Sequence, residues 1–116
     1  MRAVVSRRRQ AARHLDYIRS VFGLSEGELA DLFGVRRQSI AEWRTLGVPV
    51  QRIATVEHIS GLAKVLSEEI IPRYIPEVVR QKDAWLDNKS ILETLRQEGV
   101  DSVYAYLHRL FTSRGA

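Results

Sequence analysis

Apolar residues recur along this chain at intervals of three and four, and no useful stretch alternates strictly between apolar and polar. The first spacing lines one face of an α-helix, whereas strict alternation would mark a strand. Ala12, Leu15, Ile18, Val21 and Phe22 form one stripe and predict a helix over 10–22, which Gly23 is suited to end. Ser25 and Glu28 have the spacing of a capping box, so a short helix is expected over 26–33, broken by Gly34. A third helix is expected over 37–46, stopped by Gly47 with Pro49 just beyond. Val50, Ile53, Val56, Ile59, Ala63 and Leu66 then predict a longer helix over 51–69.

Past that helix the pattern is less regular. Pro72 and Pro76 bracket a short segment, and 76–81 reads as helical because proline is tolerated in a first turn. Residues 82–89 are polar apart from Trp85 and Leu86 and read as a loop. Ser90 and Glu93 repeat the capping-box spacing and start a helix carrying Ile91, Leu92 and Leu95, ending before Gly99. Asp101 is placed to cap a last helix with Val103, Leu107, Leu110 and Phe111 inward, and the ends, 1–8 and 112–116, are expected to be mobile. The expected fold is all-α: an N-terminal helix-turn-helix unit over 1–66, joined by the long helix to a small helical unit over 67–116.

The helix-turn-helix expectation rests on residues 25–46, SEGELADLFGVRRQSIAEWRTL. Two short helices that cross steeply need a small residue at the crossing, and Ala30 supplies it. The turn needs a residue tolerant of positive φ, which Gly34 is, and the second helix must bury a branched apolar residue, which Ile40 is. Leu29, Phe33, Val35 and Trp43 fall at the remaining core positions. Over about 10–66 the chain resembles the Xre-type and phage-repressor helix-turn-helix proteins. The resemblance implies that the second helix of the motif enters the major groove by its N-terminal end.

The residues at that end suit the task. Arg36 and Arg37 match guanine O6/N7, Gln38 matches adenine N6/N7, and Ser39 reaches a base or a phosphate. Ala41 is small enough to meet a thymine methyl, and Glu42 either accepts from cytosine N4 or holds Arg37 or Gln38. Arg44 and Thr45, near the helix end, are better placed for phosphate, as is Arg52 beside the amides that open the next helix. Arg7, Arg8, Arg9 and Arg13 form a second basic cluster, read as an arm on phosphate or in the minor groove. A plain helical bundle would also use Ala30, Gly34 and Ile40, but would not need Arg-Arg-Gln on a solvent face.

Charge supports this reading by its distribution. Through Ile53 there are ten Lys/Arg and five Asp/Glu; beyond it there are eight and nine, although the whole chain is +4 with a pI near 9.8. The surplus cations therefore lie in the half with the motif. Cysteine is absent, so disulfides and thiolate metal sites are excluded. The basic start lacks the apolar core of a secretory signal, and no apolar run approaches the roughly 18 residues that span a bilayer. A cytoplasmic location without membrane contact is expected. His14, His58 and His108 are far apart, Glu68–Glu69 reads as a solvated pair, and no nucleotide loop or hydrolase motif occurs. No enzymatic activity, metal or cofactor is expected.

The C-terminal half has two competing resemblances. AWLDNKSILETLRQEGVDSVYAYLHRLF is similar to the toxin-binding domain of the Xre/MbcA/ParS antitoxins, with Trp85, Leu86, Ser90, Leu92, Leu95, Gly99, Val103 and Leu107 matching in order. It departs from that family in having Ile91 where a proline usually follows the serine, and Asp87-Asn88-Lys89 in place of a glycine-rich approach. The chain also resembles the small immunity repressors of mycobacteriophages, in some of which the second domain touches DNA; Arg73, Arg80, Lys82 and Lys89 are then candidates for a second DNA contact. The expected function is a sequence-specific, double-stranded-DNA-binding repressor of the phage-immunity type. The alternative is an antitoxin that represses its own operon and binds a cognate toxin of the RES type. Whether the chain acts as a monomer or a homodimer stays open.

Overall fold

The computed structural model describes the backbone of residues 2–115 and the side chains of residue 3 and residues 6–112. Among the described residues there are seven α-helices and no strand: α1 (Arg2–Phe22), α2 (Glu26–Leu32), α3 (Arg37–Leu46), α4 (Val50–Glu69), α5 (Ile75–Arg80), α6 (Ile91–Glu98) and α7 (Val100–Gly115). Single 3-10 turns at Pro72–Tyr74 and Ala84–Leu86 sit in the connections on either side of α5. Both capping boxes form, with Ser25 and Ser90 accepting from the amides of Glu28 and Glu93 and each glutamate returning to the serine amide.

The ends differ from expectation. α1 starts at Arg2, so the basic arm expected to be mobile over 1–8 is helical from residue 2; no proline or glycine precedes Gly23 to break it. At the other end α7 runs to Gly115 instead of stopping near 111. It also starts at Val100, which makes Asp101 a first-turn acid near the positive helix end and not the cap. Met1 and Ala116, which fall within the expected mobile ends, lie outside the described residues. The loop expected over 82–89 is an ordered turn, in which Asp83 and Lys89 pair across an isolated bridge and Asp87 and Asn88 take positive φ.

α1 packs chiefly along α4, and α2 crosses α3. The C-terminal helices close over this unit, α5 on α1, α6 on α2 and α7 on α4. Buried residues from Ala11 to Leu107 join in one apolar cluster, which includes Ile75, Val79, Ile91 and Val103 from beyond the expected boundary at 66/67. That boundary falls inside α4.

The corner between α2 and α3 is built as its residue types require. Leu29, Ala30 and Ile40 are buried, and Val35 is partly so. Phe33 meets Trp43 edge to face at 6.0 Å, and Gly34 takes φ +65° where the chain turns. Gly47, which ends α3, is under a second constraint besides its φ of +97°. A Cβ on it would lie 2.8 Å from the Cβ of Arg8. Here α1 touches the α3–α4 connection: the Val48 amide donates to the Arg8 carbonyl at 3.0 Å, and Arg8 Nε donates back to the Val48 carbonyl at 2.9 Å.

The two glycines should therefore respond differently to substitution. A Cβ at Gly34 would meet nothing within 4 Å, so Gly34→Ala carries only the left-handed backbone cost, about 1 kcal/mol. Gly47→Ala adds a backbone clash against α1 and should cost about 2 kcal/mol or more. Urea unfolding of the two variants checks the order; equal losses would mean that α1 does not press on the connection.

Candidate nucleic-acid interface

α3 starts with no side chain capping it: Arg36 stands at the N-cap position and makes no cap hydrogen bond. Arg36, Arg37, Gln38, Ala41 and Glu42 are exposed, and Ser39 is half-buried. Among the described residues no hydrogen bond or ion pair engages the side chains of Arg36, Arg37, Gln38 or Glu42; Glu42 therefore holds neither Arg37 nor Gln38. The opposite face of α3 is fixed by Ile40 and Trp43 in the core. Arg9 and Arg13, one turn apart on α1, are likewise exposed and unengaged. They line a shallow cleft of about 320 Å³ that ends at Arg44 and Thr45 of α3.

Other cations expected to meet phosphate are spent within the fold. Arg44 makes a bidentate pair with Glu26, both bonds at 2.7 Å, and donates from Nε to Asp16 at 3.0 Å. Arg52 donates to the Phe33 carbonyl at 2.9 Å and lies over the Trp43 ring, holding the α2–α3 turn. Arg8 fastens α1 as described, and Thr45 Oγ1 donates back to the Ala41 carbonyl at 3.2 Å. Arg7 reaches Glu57 at 3.3 Å, with both groups well exposed.

The candidate second contact changes most. Arg80 is a clamp. It donates from Nε and Nη2 to the two carboxylate oxygens of Glu28, at 3.1 and 2.9 Å, and to the carbonyls of Phe22, Gly23 and Pro76. With its guanidinium donors so committed, Arg80 ties α5 to α2. Lys89 pairs with Glu98 at 2.9 Å. Arg73 lies over the Tyr74 ring at 5.0 Å, donates to Tyr74 Oη at 3.2 Å and stays exposed. Lys82 is exposed and, among the described residues, in no hydrogen bond or ion pair, though its charge acts on Glu93.

Asp16, Glu26 and the Glu28–Arg80 clamp were not foreseeable as a group. Arg44 stands 28 and 18 residues from Asp16 and Glu26, and Arg80 stands 52 from Glu28, so local spacing carries no trace of the pairings. His14 is another such case: its Nδ1 lies 2.7 Å from Ser60 Oγ, joining α1 to α4. Among the described residues no three His, Asp or Glu side chains gather as metal ligands, and no helix is long and apolar enough to cross a membrane. Comparison of the chain with protein-family models, curated proteins and solved structures finds no match.

The guanidinium groups set the titration of α2. The hydrogen bonds from Arg44 hold the Glu26 carboxyl below its ordinary value of 4.5, and those from Arg80 do the same for Glu28, helped by the Ser25 amide. Carboxyls depressed in the fold stabilise it above their unfolded pKa and lose that contribution as pH falls through the folded value. Urea midpoints should therefore drop below about pH 4.5, where unfolded glutamate begins to bind protons. A Glu26→Gln, Glu28→Gln variant should start lower at neutral pH and fall less steeply; a parallel fall would place the acid sensitivity elsewhere.

Proposed function

We propose that this chain is a sequence-specific, double-stranded-DNA-binding transcriptional repressor of the helix-turn-helix kind, with α3 as its recognition helix. The observation that carries the reading is the joint freedom of Arg36, Arg37 and Gln38 at the exposed start of a helix whose other face is buried. Several other arginines of this unit find carboxylates or carbonyls, as Arg8, Arg44 and Arg52 do, whereas Arg9 and Arg13 do not. Leaving two arginines and a glutamine unengaged side by side costs nothing in water and leaves their donors for base edges. Ala41 keeps the next turn shallow enough for close approach. Arg9 and Arg13 lie beyond the far end of α3, where a major-groove helix would bring a phosphate strand, and are the cations left for it.

A second reading, the antitoxin that also binds a toxin, draws on Trp85. This side chain is 55% exposed on an ordered turn, edge to face with Tyr106 and under the Arg109 guanidinium. Exposed tryptophan beside arginine is a common composition for a protein-binding hot spot. Of the four cations proposed for a second DNA contact, Arg80 and Lys89 are engaged by carboxylates, while Arg73, on Tyr74, and Lys82 stay exposed.

Binding to an operator selected from random duplexes, followed by fluorescence anisotropy over a salt series, tests the main reading. Arg37→Ala should weaken the specific site by about 1–3 kcal/mol and relax the preference at one base pair. Arg9→Ala should lower the slope of log K against log salt by about one. Arg80→Ala should leave that slope unchanged while lowering the urea midpoint, because it serves the fold. An Arg37→Ala variant with unaltered affinity and preference would remove α3 as the reading helix.

A further inference from the structure

Gly61 lies mid-way along α4 with its face exposed. Glycine weakens a helix interior relative to alanine, and an exposed one has no packing to compensate. Here a Cβ would meet only Tyr104 Oη, at 3.6 Å, an ordinary contact. Nothing within the single chain calls for the missing side chain.

What surrounds it suggests a use. Grooves of about 680 and 320 Å³ run along both sides of this ridge, one against α1 and one against α7, and both include Glu57 and Gly61. Tyr17 walls the first and Tyr104 the second, each more than a third exposed. A small residue on a helix ridge lets another helix approach closely, and tyrosines beside it supply contact area at low entropy cost.

The charges choose the occupant. Lys64 follows Gly61 by three residues and Glu57 precedes it by four. If two copies of α4 cross antiparallel at Gly61, each position after the glycine faces the matching position before it. Lys64 of each copy then falls beside Glu57 of the other, twice over, which is the reciprocity a two-fold interface requires. A parallel approach would set like charges together. Glu57 now pairs with Arg7 at 3.3 Å, but both groups are about half exposed, so that bridge is cheap to exchange.

We propose that the α4 ridge between α1 and α7 binds a second copy of this chain about a two-fold axis passing by Gly61. The inference does not depend on the DNA reading, because it concerns association without DNA. If both hold, one assembly carries two α3 helices, as a two-fold operator demands.

Sedimentation equilibrium of the full chain without DNA tests it. The wild type should dimerise reversibly, and Gly61→Arg should raise the dissociation constant at least tenfold, on the order of a hot-spot loss. Lys64→Glu should weaken the dimer too, and adding Glu57→Lys to it should restore association. Helix content by circular dichroism should be unchanged in each variant, since position 61 has room for a Cβ. A wild type that stays monomeric at every concentration overturns the proposal. So does a dimer indifferent to Gly61→Arg, or a double exchange no better than the single one.

Discussion

Two carboxylates in the first turn of α2 receive guanidinium groups from three other helices, and the placement of α3 depends on them. Glu26 holds Arg44 of α3 and Arg19 of α1, and Glu28 holds Arg80 of α5. The helix they start has only seven residues, too few to be stable alone. It is kept by the capping box, by its buried Leu29, Ala30 and Leu32, and by these bridges. Acidic groups also suit a helix N-terminus, so the arrangement gains from the α2 dipole as well as from the arginines. The α2–α3 corner is thus braced from outside as well as packed from within.

The same bracing explains why the C-terminal half is not a mere appendage. Arg80 donates to the carbonyls of Phe22 and Gly23, the end of α1, while clamping Glu28. α6 covers α2 from the other side, and its buried Ile91 and Leu95 join the cluster that holds Ile40 and Trp43. Disturbing α5 or α6 therefore reaches the corner directly, through two carbonyls, one carboxylate and a shared core. At the opposite end, the reciprocal bonds between Arg8 and Val48 fix the exit of α3 to α1. A helix pinned at its start by the α2 corner and at its end by α1 presents its free face with little latitude.

Much of this was legible in the sequence where the determinants are local. Spacing of apolar residues located every long helix. Ser25 with Glu28 and Ser90 with Glu93 marked two helix starts, and Gly34 marked the turn with its positive φ. Local signals misjudged the N-terminal segment, because chain ends without an apolar stripe are expected to be mobile, whereas α1 starts at Arg2. Part of what holds it in place is the Arg8 bond to the Val48 carbonyl forty residues away, which local spacing cannot show. The same limit governed the basic residues as a class. Sequence can count cations and place them on a helix face, but which of them are neutralised depends on carboxylates brought in by tertiary packing. Arg44 and Arg80 read as DNA contacts for that reason, with nothing local to show that Glu26 and Glu28 engage them.

Sorting free from spent cations changes what the net charge means. The surplus of the first half is spread over ten arginines, yet Arg8, Arg19, Arg44 and Arg52 already answer a carboxylate, a carbonyl or a ring. The field left for a polyanion comes from Arg9, Arg13, Arg36 and Arg37, on two helices that meet at the cleft beside Arg44 and Thr45. Spent arginines are not idle for that purpose. Arg44 and Arg19 together offset the two negative charges of Glu26 and Asp16, and Asp16 lines the cleft beside Arg9 and Arg13, where an uncovered carboxylate would repel an anion. Removing Arg44 would thus uncover negative charge at the mouth of the cleft as well as remove a cation from it. Intramolecular pairing and surface potential are one arrangement here: the acids that brace α2 are the acids that the arginines must hide.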